Sequence, residues 1–355
     1  VMLNEKERLS KALKNEKIDR PPCICPGGMM NMITTELMDV AGVSWPEAHL
    51  NPEMMAKLAI ASYKNECFEN IGVPFCMTIE AESMGAEVTL GSKIFEPHVT
   101  GYAFDKVQDW KKLSKMDLTK GRAKVVLDAI KIIKEANLGA PIIGNITGPI
   151  STASSVIEPV NFYKSMRKDN KTVHEYMTFV TEEIIDFANA QIEAGADIIV
   201  ISDPSGTGEI LGPKFFDEFV VRYINMLLDG IKDKNVGTIV HICGQMKNVY
   251  REVSKVKSDA LSFDSIVSIK EAKKNLGDRV LMGNVSTYAL EFGSQEKIKA
   301  LTKACIKNGS DIISPACGLG TKSPIANIQS ILKAIMQEAE NEMTDDGNEE
   351  VNKDA

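Results

Sequence analysis

The fold of this chain is decided by the stretch Gly237-Thr-Ile-Val-His-Ile-Cys-Gly244, a short apolar, β-branched run that opens and closes with glycine. Such a run predicts a buried strand. Side chains two residues apart on a strand point to the same face, so His241 and Cys243 project together from its carboxyl end. Because imidazole and thiolate are both zinc ligands, the pair predicts part of a metal site.

A third ligand has to come from elsewhere, because two residues do not hold a zinc ion. Cys317 is the best candidate, since it follows another short apolar run, 311–314, and precedes a glycine. One histidine and two cysteines leave a position of a tetrahedral metal open, as catalytic zinc sites do. The alternative is that all three are ordinary strand-end residues, because free cysteine is often buried as a small hydrophobe.

The composition limits the classes of protein to which the chain can belong. The chain has 355 residues, of which 44% are hydrophobic and 25% charged, as in a soluble globular protein. The seven cysteines form no spaced framework, which indicates a reducing, cytoplasmic setting without disulfides. The sequence has no apolar run long enough for a membrane span and no basic stripe, so neither a membrane nor nucleic acid is expected as a partner.

The carboxyl-terminal segment is strongly acidic. Between Gln337 and Ala355 there are eight acidic residues and one lysine, whereas the net charge of the whole chain is −8. The segment has almost no apolar residues, so we expect a disordered acidic tail over 341–355. Residues 1–340 are predicted to form a single domain. A homo-oligomer is compatible with the sequence, which does not decide the oligomeric state.

Short apolar runs alternate with helical patterns along the whole body. The runs are 23–25, 72–79, 141–147, 197–203, 236–243, 260–264, 280–284 and 311–314. Eight such units predict parallel strands covered by helices, and in this length they fit a closed (β/α)₈ TIM barrel. An amphipathic helix over 3–15 is expected as an N-terminal extension, and the alternating segment 86–102 predicts a β-hairpin insertion.

Polar and ligand-type residues follow the carboxyl ends of these strands. They are Glu82, Asn145, Asp203, His241, Cys243, Asp264, Asn284 and Cys317. Barrels of this class keep their active sites at that face, so we expect these side chains to share one mouth. Any one of them alone would equally fit a turn or a loop cap.

The sequence resembles the uroporphyrinogen decarboxylase superfamily over about residues 5–338, and within it the methylcobamide:coenzyme M methyltransferases. The stretches that carry the resemblance are 36–49, Met84-Gly85, Thr147-Gly-Pro149, Glu193-Ala-Gly-Ala-Asp197, Val240-His-Ile-Cys-Gly244, Gly283-Asn-Val-Ser286 and Pro315-Ala-Cys-Gly318. In that family a His-x-Cys pair and a distant cysteine bind zinc, which matches His241, Cys243 and Cys317.

The resemblance implies a zinc-dependent methyltransferase that moves a methyl group from a methylated corrinoid (methylcobalamin on a partner protein) to a small thiol, most simply coenzyme M. Asp264 would be the resting fourth zinc ligand and part of the catalytic set. The residues expected to bind substrate are Asn145, Thr147, Ser202, Asp203, Asn284 and Glu82. Methionines 29, 30 and 32 would offer a soft apolar patch to the corrinoid protein if they are exposed, although packing in the core is the favoured interpretation for each of them.

Three other functions remain open at this point. The acceptor would be homocysteine or a tetrahydrofolate in a related methyltransferase. A non-catalytic barrel would hold zinc or a corrinoid for structural reasons. A uroporphyrinogen decarboxylase is disfavoured, because segment 25–31, after the first strand, has no arginine to bind substrate carboxylates.

Overall fold

The computed structural model describes residues 2–353, with side chains described to residue 347. The strands are β1 (Ile71–Val73), β2 (Glu87–Thr89), β3 (His98–Gly101), β4 (Ile142–Thr147), β5 (Ile198–Ser202), β6 (Gly237–Ile242), β7 (Ala260–Phe263) and β8 (Val280–Met282). Six of them form one parallel sheet in the order β1-β4-β5-β6-β7-β8. The short strands β2 and β3 pair antiparallel as a separate hairpin.

Two short extended segments close this sheet into a barrel. Ile312 forms a parallel bridge with Met282 of β8, and Ile313 forms another with Cys23. On the other side of Cys23, its carbonyl accepts a hydrogen bond from Glu69 N at 2.8 Å, just before β1. The predicted (β/α)₈ barrel with its hairpin insertion is therefore confirmed.

Helices cover the outside of the barrel and connect successive strands. They are α1 (Glu5–Leu13), α2 (Thr35–Ala41), α3 (Pro52–Lys64), α4 (Ile79–Met84), α5 (Gly121–Ala136), α6 (Pro149–Val156), α7 (Pro159–Lys168), α8 (Asn170–Ala194), α9 (Gly208–Phe215), α10 (Arg222–Gly230), α11 (Tyr250–Val253), α12 (Ile269–Leu276), α13 (Thr287–Phe292), α14 (Gln295–Lys307) and α15 (Ile325–Lys353). Short 3₁₀ turns cover Glu47–His49 and Val107–Lys112, and a π-helical segment, Phe216–Val221, joins α9 to α10. Among the described residues, no helix combines the length and apolarity that crossing a membrane would require.

Side-chain alternation divides the buried residues into two layers. Alternate residues of the strands point inward and form a compact apolar cluster that fills the barrel. Its members from the strands and closing segments are Ile24, Ile143, Ile198, Val200, Ile239, Ala260, Val280, Met282 and Ile312. Leu9, Ala12 and Leu13 of α1 pack against this cluster, so α1 covers one end of the barrel. The opposite end, where the strands terminate, remains free for a site.

Strand β1, which corresponds to the second predicted strand, is shorter than the apolar run 72–79 indicates. It ends at Val73, because Pro74 has no backbone N–H to continue the ladder, and the chain then turns into α4. Glu80 and Glu82 therefore lie on a helix rather than at the end of a strand. The apolar character of the run reflects burial of the connecting loop, where Phe75 is fully buried.

The acidic carboxyl-terminal segment differs from the prediction of disorder over 341–355. Helix α15 continues to Lys353, and residues 354–355 lie outside the described part. The helix is anchored by buried residues of its first turns, including Ile328, Ile331 and Ile335. Once started, a helix extends by one hydrogen bond per residue, and the Glu, Ala and Met residues of this segment favour it. Residues 341–347 are exposed, as their polar composition requires.

A buried ion network ties α1 to the first segment of the barrel. Both carboxylate oxygens of Glu69 accept hydrogen bonds from Arg20 at 2.8 Å, and Arg8 Nη1 lies 3.4 Å from Oε2. Glu69 Oε1 also accepts a hydrogen bond from Cys23 N at 3.0 Å. Arg8 in turn binds Asp19 through its Nε and Nη2 at 2.8 and 2.9 Å.

We predict that Glu69→Ala lowers the free energy of unfolding by about 3 kcal/mol, because it leaves the buried guanidinium of Arg20 without its partner. Urea unfolding followed by circular dichroism measures the change. Glu135→Ala, which removes an exposed carboxylate from α5, is the control and should change stability by less than about 0.5 kcal/mol. Equal effects of the two substitutions would show that the network contributes nothing.

Candidate functional site

The register of the parallel sheet brings four polar residues into one row. Thr147 pairs with Ser202, Ser202 with His241, and His241 with Ser262. The row lies one inward-facing position beyond the apolar layer that contains Val200 and Ile239. All four side chains are at least nine-tenths buried. The polar end of the barrel interior is thus built from equivalent positions on neighbouring strands.

His241, Cys243 and Cys317 form the central cluster of this site. Their ligand atoms all lie within 4.8 Å of one another, and Cys243 Sγ is 3.4 Å from His241 Nε2. Alternation along β6 directs His241 and Cys243 to the same side. Cys317 arrives from the far end of the chain, because Val285 and Pro315 form a parallel bridge just beyond β8. Barrel closure therefore completes the cluster.

Ser262 fixes the orientation of the His241 ring. Its Oγ lies 2.8 Å from His241 Nδ1, and both residues are fully buried. A neutral imidazole that donates its Nδ1 proton to this oxygen keeps a lone pair on Nε2. The Nε2 atom is the one that faces Cys243, so the hydrogen bond sets the ring orientation that a metal ligand would need.

The two thiols of the cluster differ in acidity. A hydrogen bond from the Cys243 thiol lowers the pKa of Cys317, and the neighbouring His241 lowers that pKa further. The same bond to Cys317 raises the pKa of Cys243, as does burial. The hydrogen bond between the two thiols thus shifts their pKa values in opposite directions.

Two carboxylates lie near this pair but outside the cluster of His241, Cys243 and Cys317. The charges of Asp264 and Asp203 both raise the pKa of Cys243. Asp264 Oδ1 accepts hydrogen bonds from Ser265 N at 2.6 Å and Ser265 Oγ at 3.2 Å. This local turn holds the Asp264 carboxylate away from the three ligand atoms, so the structure does not bring the predicted fourth ligand into the cluster.

Asp203 is fully buried beside the first turn of α6. Its Oδ1 accepts hydrogen bonds from Ser151 N at 2.8 Å and Ser151 Oγ at 2.6 Å, and its Oδ2 lies 3.4 Å from Ile150 N. Burial raises the pKa of Asp203 to about 6 despite these bonds. The carboxylate thus stabilises the start of a helix, which leaves it little capacity to bind a substrate.

Three other side chains that were predicted to bind substrate form hydrogen bonds or an ion pair with other parts of the protein. Asn145 Nδ2 donates to Pro26 O at 2.7 Å and to Val73 O at 3.0 Å. Asn284 Nδ2 donates to the carbonyls of Asp264 and Val267 at 3.0 and 2.8 Å. Glu82 forms an ion pair with Arg122, 2.8 Å from its Nε. These residues hold loops in place around the mouth.

Thr147 and Ser202 remain close to the cluster. Thr147 Oγ1 donates to Met77 O at 3.1 Å, and Ser202 stands beside His241 in the sheet. Asn145 also retains a buried Oδ1 without a hydrogen-bond partner among the described residues. These three are the members of the predicted substrate set that could still contact a small ligand in the barrel.

Three residues of the site are not among those predicted from the sequence. Ser262 could have been found, because it lies two residues before Asp264 and therefore shares its face of β7. Glu80 is buried, receives a hydrogen bond from Thr147 N at 2.6 Å, and has its pKa raised to about 7 by burial. Glu96 comes from the tip of the β2–β3 hairpin. Burial and the charge of Cys317 raise the pKa of Glu96 to about 7.

The methionine-rich segment does not form an exposed patch. Met30 and Met32 are buried, with relative exposures of 0% and 1%. Met30 belongs to the apolar cluster that fills the barrel, and its sulfur lies 3.9 Å from Ser262 Oγ. These two residues therefore pack in the core, the alternative that the sequence favoured, and do not contribute to a docking surface, because the segment folds inward beneath the His241–Cys243–Cys317 cluster.

Comparison with known proteins agrees with this geometry. The family model described as uroporphyrinogen decarboxylase (URO-D) matches residues 4–337. The chain is 35% identical over 333 residues to the methylcobamide:CoM methyltransferase MtaA of Methanosarcina barkeri, covering 93% of this chain and 96% of the relative. It is 32% identical over 330 residues to MtbA of Methanosarcina acetivorans, which bears the same activity name, with 92% and 96% coverage.

A solved structure supports the same assignment. A methyltransferase from Methanosarcina mazei superposes with a TM-score of 0.87 and 34% sequence identity, covering 94% of this chain and 99% of that chain. Sequence and fold thus agree over nearly the full length. The chain belongs to the uroporphyrinogen decarboxylase family and, within it, is a methyltransferase.

Proposed function

We propose that the protein transfers a methyl group from a methylated corrinoid to the sulfur of a small thiol, with zinc held by His241, Cys243 and Cys317. The observation that carries the proposal is this cluster, which contains one imidazole and two thiols and no fourth protein ligand among the described residues. Coenzyme M is the proposed acceptor, because the relatives over nearly the whole chain are named as coenzyme M methyltransferases.

The spacing of the cluster fits a zinc ion. Zn–S and Zn–N bonds of about 2.3 and 2.0 Å at a tetrahedral angle separate sulfur and nitrogen by roughly 3.5 Å. The Cys243 Sγ to His241 Nε2 distance is 3.4 Å. When bound, zinc would lower the pKa of a coordinating thiol so that the acceptor is a thiolate at neutral pH. The open position is where that thiol would bind.

The residues of the chain contribute orientation and charge. Ser262 holds the His241 ring with Nε2 toward the cysteines, and the barrel core beneath excludes water from that ring. The two cysteines supply two negative charges, which would balance a divalent cation and leave a bound thiolate nucleophilic. Held at a fixed place in the mouth, the thiolate would meet the methyl group of the donor with little loss of entropy.

The methyl donor has to approach from outside the barrel. The apolar cluster fills the interior up to the row of Val200 and Ile239, so a macrocycle of corrinoid size has no room beside His241. We therefore propose a partner protein that presents its methylated corrinoid at the mouth. The experiments below separate this proposal from its alternatives, which are homocysteine or tetrahydrofolate as acceptor and a structural role for the zinc.

We predict one zinc ion per chain in protein purified without chelators. Cys243→Ala and Cys317→Ala should each lose most of the zinc and all methyl transfer while the fold persists, because the barrel core does not depend on either residue. Elemental analysis and circular dichroism measure both properties. Cys305→Ala is the control, since this buried cysteine lies on α14. Zinc-free wild-type protein whose activity zinc does not stimulate would refute the proposal.

A second prediction concerns the hydrogen bond to His241. Ser262→Ala should weaken zinc binding about 10- to 100-fold, because the imidazole loses the partner that orients its ring. Competition with a chromophoric chelator measures the affinity. Ser258→Ala is the matched control, since that serine is also buried but lies before β7, where its Oγ donates to Ala260 O. Equal affinities of the two variants would mean that Ser262 does not orient the ligand.

The third prediction concerns the acceptor. With methylcobalamin as donor, the protein should methylate coenzyme M, and binding of coenzyme M should release about one proton near pH 7 as the thiol deprotonates. Calorimetry in two buffers of different ionisation enthalpy measures that proton. Methyl transfer to homocysteine but not to coenzyme M would identify homocysteine as the acceptor. Transfer to tetrahydrofolate and to no thiol would contradict a thiol-binding zinc site.

A further inference from the structure

The loop that carries Cys317 depends on other segments for its position. Residues 316–320 form neither a helix nor a strand. Before the cysteine, Ala316 N donates to Val285 O at 2.8 Å, just beyond β8. After the cysteine, Leu319 N donates to Asn31 O at 2.8 Å. The place of Cys317 is therefore set by one contact with the end of β8 and one with a segment that lies near the start of the chain.

Asn31 binds this loop with its side chain as well as with its backbone. The residue is fully buried, and its Nδ2 donates to Leu319 O at 3.3 Å, so that both backbone groups of Leu319 are bound to Asn31. The same side chain shapes its own segment, because Oδ1 accepts a hydrogen bond from Ile33 N at 2.9 Å and Nδ2 donates to Ile33 O at 2.8 Å. Asn31 thus joins the two segments to each other.

Gly318, directly after the cysteine, lets the two segments approach closely. A Cβ at this position would lie 2.6 Å from Met29 O and 3.1 Å from Asn31 N. Both are backbone atoms, so a side chain here would force the segments apart rather than cause a change of rotamer. The φ angle of Gly318 lies outside the left-handed region, so the need for glycine is a need for space.

The loop is fixed again further along, at Thr321. Thr35 N donates to Thr321 O at 2.8 Å, and Thr321 Oγ1 donates to Ile94 O, at the hairpin tip, at 3.1 Å. These contacts are four residues from Cys317, whereas those of Asn31 reach residues one and two positions from it. Asn31 is therefore the closer of the two supports to the cysteine.

We propose that Asn31 is a positioning residue of the methyl-transfer site, which holds Cys317 where its sulfur meets His241 and Cys243. This inference rests on the proposed function in taking zinc as the occupant of the cluster. A metal binds more tightly when its ligands are already in place, because binding then does not have to order them. The sheet orders His241 and directs Cys243, which follows β6, whereas Cys317 lies on a loop and depends on this contact.

The first test removes the side chain of Asn31 in the full-length protein. Asn31→Ala should weaken zinc binding about 10- to 100-fold, as measured by competition with a chromophoric chelator. Asn189→Ala is the matched control, because this asparagine is also buried, accepts from Lys232 N and donates to Gly230 O, both at 3.0 Å, before β6 at the opposite end of the barrel. The control should lower stability in urea but leave zinc affinity unchanged.

Gly318→Ala tests the same contact without removing a hydrogen-bonding group, and it decides the question if Asn31→Ala does not fold. It should also weaken zinc binding, whereas Gly347→Ala, at an exposed position with no neighbour within 4 Å, should not. With Co²⁺ in place of zinc, each thiolate ligand contributes charge-transfer absorbance in the near ultraviolet. Displacement of Cys317 should lower that absorbance toward about half of the wild-type value, because one of two thiolate ligands is lost.

Wild-type zinc affinity in both Asn31→Ala and Gly318→Ala would overturn the proposal, as would an equal loss of affinity in Asn189→Ala. A wild-type protein that binds neither zinc nor Co²⁺ would refute the proposed function instead. Alkylation of the metal-free protein by iodoacetamide, read for Cys317 by mass spectrometry, then tests the positioning role alone. Faster labelling of Cys317 in the two variants than in wild type and Asn189→Ala would support that role, and equal rates would refute it.

Discussion

The hydrogen bond between Ser262 and His241 is the contact on which the site depends. It exists because β6 and β7 are in a register that sets these residues opposite each other, with Oγ and Nδ1 2.8 Å apart. The bond orients the ring, with Nδ1 at the serine and Nε2 toward the cysteines. A slip of one residue in either strand would turn the serine or the histidine to the outer face and leave the cysteines without their third ligand.

The surroundings of the cluster are acidic, which affects the protonation of its two thiols. Asp203, Asp264 and Glu96 lie close enough for their charges to interact with the two cysteines. Thiols in such a field resist losing both protons unless a cation is bound. The same arrangement therefore favours a divalent metal strongly over an empty pair of thiolates. Glu80 and Asp203 are also buried with raised pKa values, which shows that desolvation outweighs their hydrogen bonds.

Prediction from the sequence succeeded where a pattern has one physical meaning. Apolar β-branched runs that alternate with helices predicted the barrel, and the hairpin at 86–102 followed from its alternation. Prediction failed where neighbouring residues, rather than the composition of the segment, decide the secondary structure or the contacts of a side chain. The run 72–79 has the composition of a strand but contains Pro74, and the acidic end of α15 is helical because preceding turns are anchored. Asn145, Asn284 and Glu82 were predicted to bind substrate, yet the amides of the two asparagines donate to loop carbonyls and Glu82 pairs with Arg122.

The sequence by itself determined the barrel, the pairing of His241 with Cys243 on one face of a strand, and the choice of Cys317 as the third candidate ligand. These conclusions need only local periodicity and the convergence of parallel strand ends. Tertiary structure alone decided the hydrogen bond between Ser262 and His241 and the contact of the hairpin tip with the loop that follows Cys317. Each depends on distances between segments far apart in the chain, and such distances follow from packing rather than from any local pattern.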